Sequence, residues 1–289
     1  MPEDFGGRIL YILQKYGPSF AAGAGRTMII ALVGTLIGCI IGFIAGIIQT
    51  IPVSRRDSIG KRAGLWIVKL ILNIYVEVFR GTPMMCQAMF IYFGSAAVFN
   101  INMSMWFAAF FIVSINTGAY MAETVRGGVL SIDPGQTEGA KAIGMTHFQT
   151  MVNVILPQAL RNIMPQIGNN LIINIKETCV LSIIGVVELF YTTKGVAGAL
   201  YTYFEAFTIT MVIYFVLTFT CSRILRFWES KMDGSDNYDL ATTEDVYKRQ
   251  GLDTAEKGYG SSIISRKQKT VVRSHCKRKS GRKKGTDTF

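Results

Sequence analysis

The feature that most constrains this chain is an apolar run over residues 27–51 that contains no charged side chain. Because a helix needs about 20 mostly apolar residues to cross the hydrocarbon core of a bilayer, the run predicts a transmembrane helix. Glycines recur at every fourth position and share one helix face, which lets a neighbouring helix approach closely in lipid. The alternative, a buried helix of a water-soluble protein, is disfavoured because so many glycines weaken a helix in water. The glycines are Gly34, Gly38, Gly42 and Gly46.

Four further apolar runs are long enough to be considered as membrane spans. They lie at residues 84–99, 105–122, 167–190 and 207–225. The fold class that follows is all-α, a polytopic helical membrane protein with five transmembrane helices. Because five is an odd number, we expect the two termini on opposite sides of the membrane.

Residues 65–80 form a less apolar segment between the first two spans. Its charged residues, Lys69, Glu77 and Arg80, would be costly at the centre of a bilayer. We therefore expect an interfacial helix that ends at the following Gly-Thr-Pro sequence, with the next span beginning after it. Arg80 is expected to reach the headgroups by snorkelling.

Lysine and arginine are concentrated in the loops after the first and third spans, which predicts that these loops are cytoplasmic. The N-terminus then lies outside the cell membrane and the C-terminus lies in the cytoplasm. Three regions follow from this topology: an N-terminal extracytoplasmic segment over residues 1–24, a transmembrane domain over 25–234, and a cytoplasmic tail over 235–289.

The end of the tail, residues 245–289, has neither the composition nor the pattern of the body. Residues 245–250 resemble a translated sequencing adapter, so we interpret 245–289 as a non-native and disordered addition. The alternative is a polybasic tail that is attracted to anionic lipid. The net charge of the chain is +11. Because the excess of basic residues is concentrated in the tail and not spread over a folded face, we expect no binding to nucleic acid.

Cysteine and histidine give no indication of a disulfide framework or a metal site. The five cysteines include no Cys-x-x-Cys pair, and the two histidines, His147 and His275, are far apart in sequence. The sequence also contains no Gly-x-x-x-x-Gly-Lys-Ser/Thr loop for ATP phosphates. We therefore predict no catalytic residue, no metal ligand and no cofactor, and expect that the chain is not itself an enzyme.

The long loop over residues 126–165 carries signals for two short helices. Asp133 followed by Pro134 can begin a first helix, which would end at Gly144. A second capping pattern predicts another short helix that ends around Pro157. Two helices joined by a glycine turn suggest a docking surface for a soluble partner, and the alternative is a surface helix without a partner.

The same loop contains a spaced motif made of Glu138, Gly139, Ala140, Gly144, Leu156 and Pro157. This motif resembles the Glu-Ala-Ala loop of the permease subunits of ATP-binding-cassette (ABC) importers. Gly139 stands where that family usually has alanine. Two flanking segments are similar to the polar-amino-acid branch of the family, the histidine/glutamine permease-like proteins: Val78-Phe79-Arg80-Gly81-Thr82-Pro83 and Lys176-Glu177-Thr178.

The resemblance implies a type I ABC importer permease fold in a bacterial inner membrane. It implies that the loop is a coupling helix that fits into a groove of a separate ATP-binding subunit, with the motif residues at that contact. It further implies an extracytoplasmic solute-binding protein and a second permease subunit, identical or different. Because five spans are few for enclosing a pathway, we expect two permease subunits to pair across their small-residue faces.

Polar and charged residues at membrane depth are the candidates for the substrate pathway, since each is costly unless it is paired or hydrated. A zwitterionic amino acid needs a cation for its carboxylate and acceptors for its ammonium group. The alternative for each residue is a structural role between helices. The candidates are Gln87, Asn116, Glu123, Lys176 and Glu177, with Asn174 beside them, and the resemblance adds Thr178.

We therefore predict the transmembrane permease subunit of an ABC importer, which forms the pathway for a polar amino acid among membrane lipids and couples to a separate ATPase. A stand-alone secondary transporter or channel is the alternative, and it would need its own coupling-ion site. An integral membrane enzyme is a third hypothesis, for which no catalytic group stands out.

Overall fold

The computed structural model describes residues 2, 4–52 and 58–232, and the statements below refer to this part of the chain. All regular structure within it is helical, as the sequence predicts. Residues 233–289 lie outside the described residues, and so does the interpretation of 245–289. The helices are α1 (Phe5–Thr50), α2 (Ile59–Gly81), α3 (Met84–Phe99), α4 (Met105–Leu130), α5 (Pro134–Ala142), α6 (His147–Thr150), α7 (Leu156–Glu177), α8 (Leu189–Leu200) and α9 (Tyr203–Met232).

Helix α1 is longer than the apolar run that predicted it. Asp4 caps its first turn by accepting a 3.3 Å hydrogen bond from the Gly7 amide, and the helix continues for 46 residues. There is no interruption at the expected boundary between residues 24 and 25. The early turns bury Ile12 and Phe20 against α8 and α9 and leave Leu10 and Leu13 exposed.

The glycine face of α1 packs against α4, as close helix approach predicts. A Cβ atom added at Gly38 would lie 2.6 Å from Thr117 Cβ, and one at Gly46 would lie 2.7 Å from the Ala122 carbonyl oxygen. The face is therefore filled by a helix of the same chain. Our expectation that two subunits pair across it is wrong, because no room is left for a second subunit.

Helix α2 differs from the expected interfacial helix. Lys69 Nζ donates to the Ile51 carbonyl oxygen at 2.6 Å, Asn73 Oδ1 accepts from Gln49 at 2.9 Å, and Val76 packs with Ala45. Successive turns of α2 thus meet successively earlier turns of α1, so the second half of α2 runs antiparallel beside the end of α1. Its polar residues tolerate this position because they have protein partners or face a cleft.

The fourth predicted span, 167–190, is a broken element. Helix α7 ends at Glu177, a 3₁₀ turn covers Thr178–Ile184, and Gly185 adopts a left-handed φ of +88° before α8 begins. The two parts are bent by 56°. A continuous helix is excluded here because the left-handed backbone at Gly185 reverses the helical path.

The described residues contain three helices long and apolar enough to cross a membrane, namely α1, α4 and α9. The bent pair that includes α7 and α8 can serve as a fourth span, and α3, with 16 residues, is a shorter apolar helix. Four of the five apolar runs are thus each part of one helix and the run 167–190 is broken, so the number of full-length spans in the described residues is smaller than five. The outcome is a polytopic helical bundle built around α1 and α4.

Candidate functional site

The predicted coupling loop is an ordered helical turn. Asp133 caps α5 by accepting a 2.7 Å hydrogen bond from the Gly135 amide, and Pro134 occupies the first turn. At the other end Gly144 has a φ of +84°, and the Met145 amide donates to the Ala140 carbonyl oxygen at 3.1 Å. This is the Schellman arrangement that ends a helix at glycine. The predicted start and stop of the first short helix are confirmed.

The second short helix begins as predicted but does not end at Pro157. Thr146 and Gln149 form a reciprocal capping box at the start of α6. The chain then continues through a π-helical turn at Met151–Ile155 directly into α7. Proline lacks an amide hydrogen and crowds the carbonyl one turn earlier, and the wider π turn relieves both conflicts. Our expectation of a helix end was therefore wrong.

The motif residues of this loop do not all face outward. Glu138, Gly139, Gly144 and Pro157 are exposed and Leu156 is half-buried. Ala140 is only 6% exposed, so it anchors α5 from beneath and cannot provide the direct ATPase contact that we expected of it. Two apolar side chains that sequence reasoning did not select, Ile143 at 79% and Phe148 at 75% exposed, project from the loop instead.

Gln87 and Asn116 are brought together, and both amide nitrogens and the Gln87 oxygen are hydrogen-bonded within the protein. Gln87 Nε2 donates to the carbonyl oxygens of Phe79 (2.8 Å) and Thr82 (2.9 Å), which end α2. Asn116 Nδ2 donates to Gln87 Oε1 at 2.9 Å, and both residues are buried. The pair closes the break between α2 and α3, which favours the structural alternative for both residues.

Glu123 lies in a polar cleft of about 660 Å³ formed by α1, α2 and α4. Its carboxylate accepts a hydrogen bond from Arg126 at 2.6 Å and lies 3.8 Å from Arg80 of α2. Arg80 also lies over the ring of Tyr120, 5.8 Å from its centroid. Arg80 thus bridges two helices, where the sequence suggested a headgroup anchor. The other lining residues are Gln49, Lys69, Asn73, Val76, Glu77 and Gly81.

The three candidates at the end of α7 lie apart from this cleft. Lys176 is exposed and lines a largely apolar cavity of about 320 Å³ with Cys179, Phe190 and other residues. Glu177 is half-buried. Thr178 is fully buried, and its hydroxyl donates to the Ile175 carbonyl oxygen at 2.9 Å, so it stabilises its own turn.

Asn174, one turn earlier, is a buried link between three helices. Its Nδ2 donates to Thr35 Oγ1 of α1 at 2.7 Å and to Thr117 Oγ1 of α4 at 2.9 Å. A buried polar side chain with two good partners stabilises one packing arrangement and is not available to a substrate.

Sequence reasoning missed Glu188, a fully buried acidic residue at the bend before α8. Its carboxylate caps α8 by accepting from the amides of Phe190 (2.9 Å) and Tyr191 (2.6 Å). It also accepts from the Tyr214 hydroxyl at 3.1 Å and from the Thr27 hydroxyl at 3.4 Å. An acidic residue within the apolar part of the run 167–190, after Thr178, was the signal that could have revealed it.

A second contact that sequence reasoning missed joins the first turn of α1 to the first turn of α9. Arg8 Nη1 of α1 lies 3.1 Å from Glu205 Oε1 of α9, and Glu205 is buried. Among residues 2, 4–52 and 58–232, no group of three or more His, Cys, Asp and Glu side chains is placed to hold a metal ion.

The family model for binding-protein-dependent transport system inner membrane components matches residues 59–233. The chain belongs to this family. The matched range begins at α2 and ends after α9, so it includes the coupling loop and the bend at Glu188. Most residues of the cleft also lie within it.

Known relatives of this inner membrane component are permease proteins. The glutamine transport system permease protein GlnP of Escherichia coli K12 is 39% identical over 170 residues, which cover 58% of this chain and 78% of GlnP. The putative glutamine transport system permease protein GlnP of Rickettsia typhi is 36% identical over 166 residues, which cover 57% and 76%.

Solved structures agree with this assignment. The crystal structure of an amino acid ABC transporter with histidines has 35% sequence identity and a TM-score of 0.68, covering 80% of this chain and all of that one. The MetNI methionine ABC transporter in inward facing conformations has 20% identity and a TM-score of 0.56, covering 78% and 98%, and shows the fold alone. The inner membrane component is thus a multi-pass permease subunit of an ABC importer.

Proposed function

We propose that this permease subunit conducts a polar amino acid into the cytoplasm, driven by ATP hydrolysis in a separate subunit. Two groups of relatives support the substrate class, since permeases named for glutamine and an amino acid transporter solved with histidines are both more than 30% identical. The sequence itself has no phosphate-binding loop, which is consistent with an ATPase on another chain.

The observation that carries the coupling proposal is the shape of the loop after α4. Helix α5 is capped at both ends, and Ile143 and Phe148 are largely exposed beside the charged residue Glu138. An ordered helical turn that presents apolar side chains to water is typical of a docking surface. We therefore assign α5 and the start of α6 to the groove of the ATPase, with Ala140 holding α5 in place from below.

The pathway requires a second permease subunit, identical or different. The cleft around Glu123 is lined by five charged residues, and lipid cannot cover it without a large desolvation cost. Since the glycine face of α1 is filled by α4, we place the second subunit on the side of α2. An extracytoplasmic solute-binding protein would deliver the amino acid to the opposite end of the bundle.

Orientation follows from the charge of the loops. The loop that contains α5 and the loop after α1 hold most of the basic loop residues, so we place both in the cytoplasm, with the N-terminus outside. The early turns of α1 and the α8–α9 turn then lie toward the extracytoplasmic side.

Uptake into proteoliposomes tests the function. The permease, its ATPase and its solute-binding protein are reconstituted, and uptake of radiolabelled glutamine and histidine is measured with ATP enclosed. The control is the same assembly with the phosphate-binding lysine of the ATPase replaced. We expect uptake only with the active ATPase. Uptake that persists in vesicles lacking the ATPase would instead establish the stand-alone secondary transporter or channel.

A further inference from the structure

The cleft between α1, α2 and α4 contains positively and negatively charged side chains. Its two carboxylates differ in whether an arginine of the protein already pairs with them. Glu123 is held by Arg126 at 2.6 Å and by Arg80 at 3.8 Å. Glu77 also lines the cleft and is exposed, and it has no hydrogen-bond or ion-pair partner among the described residues. One carboxylate is therefore neutralised by the protein, and the other is free to accept a cation.

The cationic side of the cleft also has unused donors. Lys69 Nζ makes one hydrogen bond, to the Ile51 carbonyl oxygen, and an ammonium group has three donors. Arg80 reaches Glu123 only at 3.8 Å, a distance at which a guanidinium keeps most of its donors available. Arg80 can therefore receive a carboxylate without breaking a short contact, and Lys69, about three turns earlier on α2, adds positive charge at the other end of the cleft.

An unsatisfied acceptor lines the same cleft as the free carboxylate. Gln49 donates through Nε2 to Asn73, but its Oε1 is buried and accepts no hydrogen bond within the described chain. A buried amide oxygen without a donor is unfavourable. A small rotation of the side chain would turn this oxygen toward a donor that enters the cleft, and an ammonium group supplies such a donor.

We propose that this cleft is a subsite for a zwitterionic α-amino acid, with Glu77 and Gln49 receiving the ammonium group and Arg80 receiving the carboxylate. The proposal rests on the proposed function, and it replaces most of the pathway residues that the sequence suggested. Glu77 and Arg80 are three residues apart on α2 and therefore share one helix face. The volume of about 660 Å³ lies within the range of small-molecule sites, roughly 300–1,000 Å³.

The position of the cleft gives the subsite its place in transport. Gln49 is in the last turn of α1, and Arg126 is about one turn before the end of α4, which is followed directly by α5. The subsite is therefore next to the coupling helix. The proposed partners are Gln49 at the end of α1 and Glu77 and Arg80 on α2, so a movement of α1 together with the packed α4 changes the distance between Gln49 and the two charged groups.

Equilibrium binding to the purified permease–ATPase complex, without the solute-binding protein, tests this assignment. The probe is tritiated glutamine, and the competitors are glutaramic acid, which lacks the ammonium group, and 4-aminobutanamide, which lacks the carboxylate. For the wild-type complex we expect both competitors to bind at least about tenfold more weakly than glutamine, because each loses one charge-assisted interaction.

The variants separate the two charged partners. Glu77→Gln should weaken glutamine binding about tenfold and remove its advantage over glutaramic acid, while the advantage over 4-aminobutanamide remains. Arg80→Gln should show the reverse pattern. Glu229→Gln on α9 is the matched control, because this glutamate lines none of the cavities described above, and it should bind like the wild type. Co-purification with the ATPase subunit checks the assembly of every variant.

The outcomes distinguish the subsite from the function. If Glu77→Gln and Arg80→Gln both bind glutamine and both competitors as the wild type does, the subsite is overturned and the importer function stands. The same conclusion follows if the wild-type complex imports glutamine or histidine but binds neither without the solute-binding protein. If the reconstituted wild-type importer transports no amino acid, the proposed function fails and the subsite with it.

Discussion

Asn116 Nδ2 donates a 2.9 Å hydrogen bond to Gln87 Oε1, and the two buried side chains join α4 to the start of α3. Gln87 extends the link to the carbonyl oxygens of Phe79 and Thr82 at the end of α2. Three helices are thereby held together where the backbone breaks. This hydrogen bond favours a structural role for both residues over a role in the substrate pathway. Polar atoms that are hydrogen-bonded within the protein are poor ligands for a passing solute.

Replacing Asn116 by alanine should destabilise the fold. Gln87 Oε1 would lose its donor, and a buried polar group left without a partner costs about 1–3 kcal/mol of unfolding free energy. Thermal unfolding of the purified subunit in detergent measures the change, and Gln87→Leu should cost at least as much, because it also removes the donor to the carbonyl oxygens of Phe79 and Thr82. An Asn116→Ala subunit that melts like the wild type but has lost uptake would return Asn116 to the substrate pathway.

Two glycines of α1 should respond in opposite ways to the same substitution. Gly38→Ala places a Cβ atom 2.6 Å from Thr117 Cβ, so α1 and α4 must separate, at a cost of about 1–3 kcal/mol. Gly25→Ala is the matched control, because no atom lies within 4 Å of its added Cβ and alanine favours helix by up to about 1 kcal/mol. Equal melting temperatures for the two variants would contradict the close α1–α4 packing.

The coupling loop should tolerate a side chain at Gly139 but not at Gly144. Valine at Gly144 must adopt a φ of +84°, which costs about 1–3 kcal/mol for a residue with a side chain and displaces α5. Gly139→Ala has open space around the new Cβ and should strengthen α5. The measurements are co-purification of the ATPase and ATP-dependent uptake. If both variants retain full ATPase binding and uptake, α5 is not the coupling element.

Glu188 should matter for the bend between α7 and α8. Glu188→Ala removes a carboxylate that accepts from two amides of α8 and from Tyr214, and we expect a loss of about 2 kcal/mol or more in stability. Tyr214→Phe removes only one of these bonds and should cost about 1 kcal/mol. Thermal melting in detergent compares the stability of the two variants. A larger loss of stability for Tyr214→Phe would show that the helix cap is not the main contribution of Glu188.

Cysteine labelling tests the orientation that the loop charges predict. In a variant without native cysteines, Ser58→Cys before α2 should react with a membrane-impermeant maleimide only after the cytoplasmic face is opened. Tyr201→Cys in the exposed α8–α9 turn should react in intact spheroplasts. The reverse pattern of labelling would invert the topology.

Sequence patterns were most informative where a single local rule determines the backbone. Asp133, Gly144 and Thr146 marked the helix ends of the coupling loop because capping depends on a few neighbouring residues. The prediction of a helix end at Pro157 was wrong because a π turn, which hydrophobic periodicity does not reveal, accommodates this proline within a continuous helical segment. The bend at Gly185 was missed because a glycine in an apolar run signals close packing as readily as a left-handed turn.

The site was less predictable than the helices because it depends on which side chains meet. Glu123 was selected as a charged residue at membrane depth, but its partner Arg80 and the free carboxylate of Glu77 belong to a different helix. Gln87 and Asn116 were also selected as polar residues at membrane depth, but they are hydrogen-bonded to each other. Membrane depth identifies a polar residue that needs a partner, and only the packing of α2 against α4 shows whether that partner is protein.

The length of α1 has a mechanical consequence. Its 46 residues extend about 69 Å at 1.5 Å per residue, more than twice the thickness of a hydrocarbon core of about 30 Å. One end is fastened by Arg8 to Glu205, and the other end supplies Gln49 to the cleft wall. Because α1 and α4 pack without clearance from Gly34 to Gly46, we expect this length of the two helices to move as one body. Bending of α1 is then confined to the turns before the packed length, where Pro18 removes one backbone hydrogen bond.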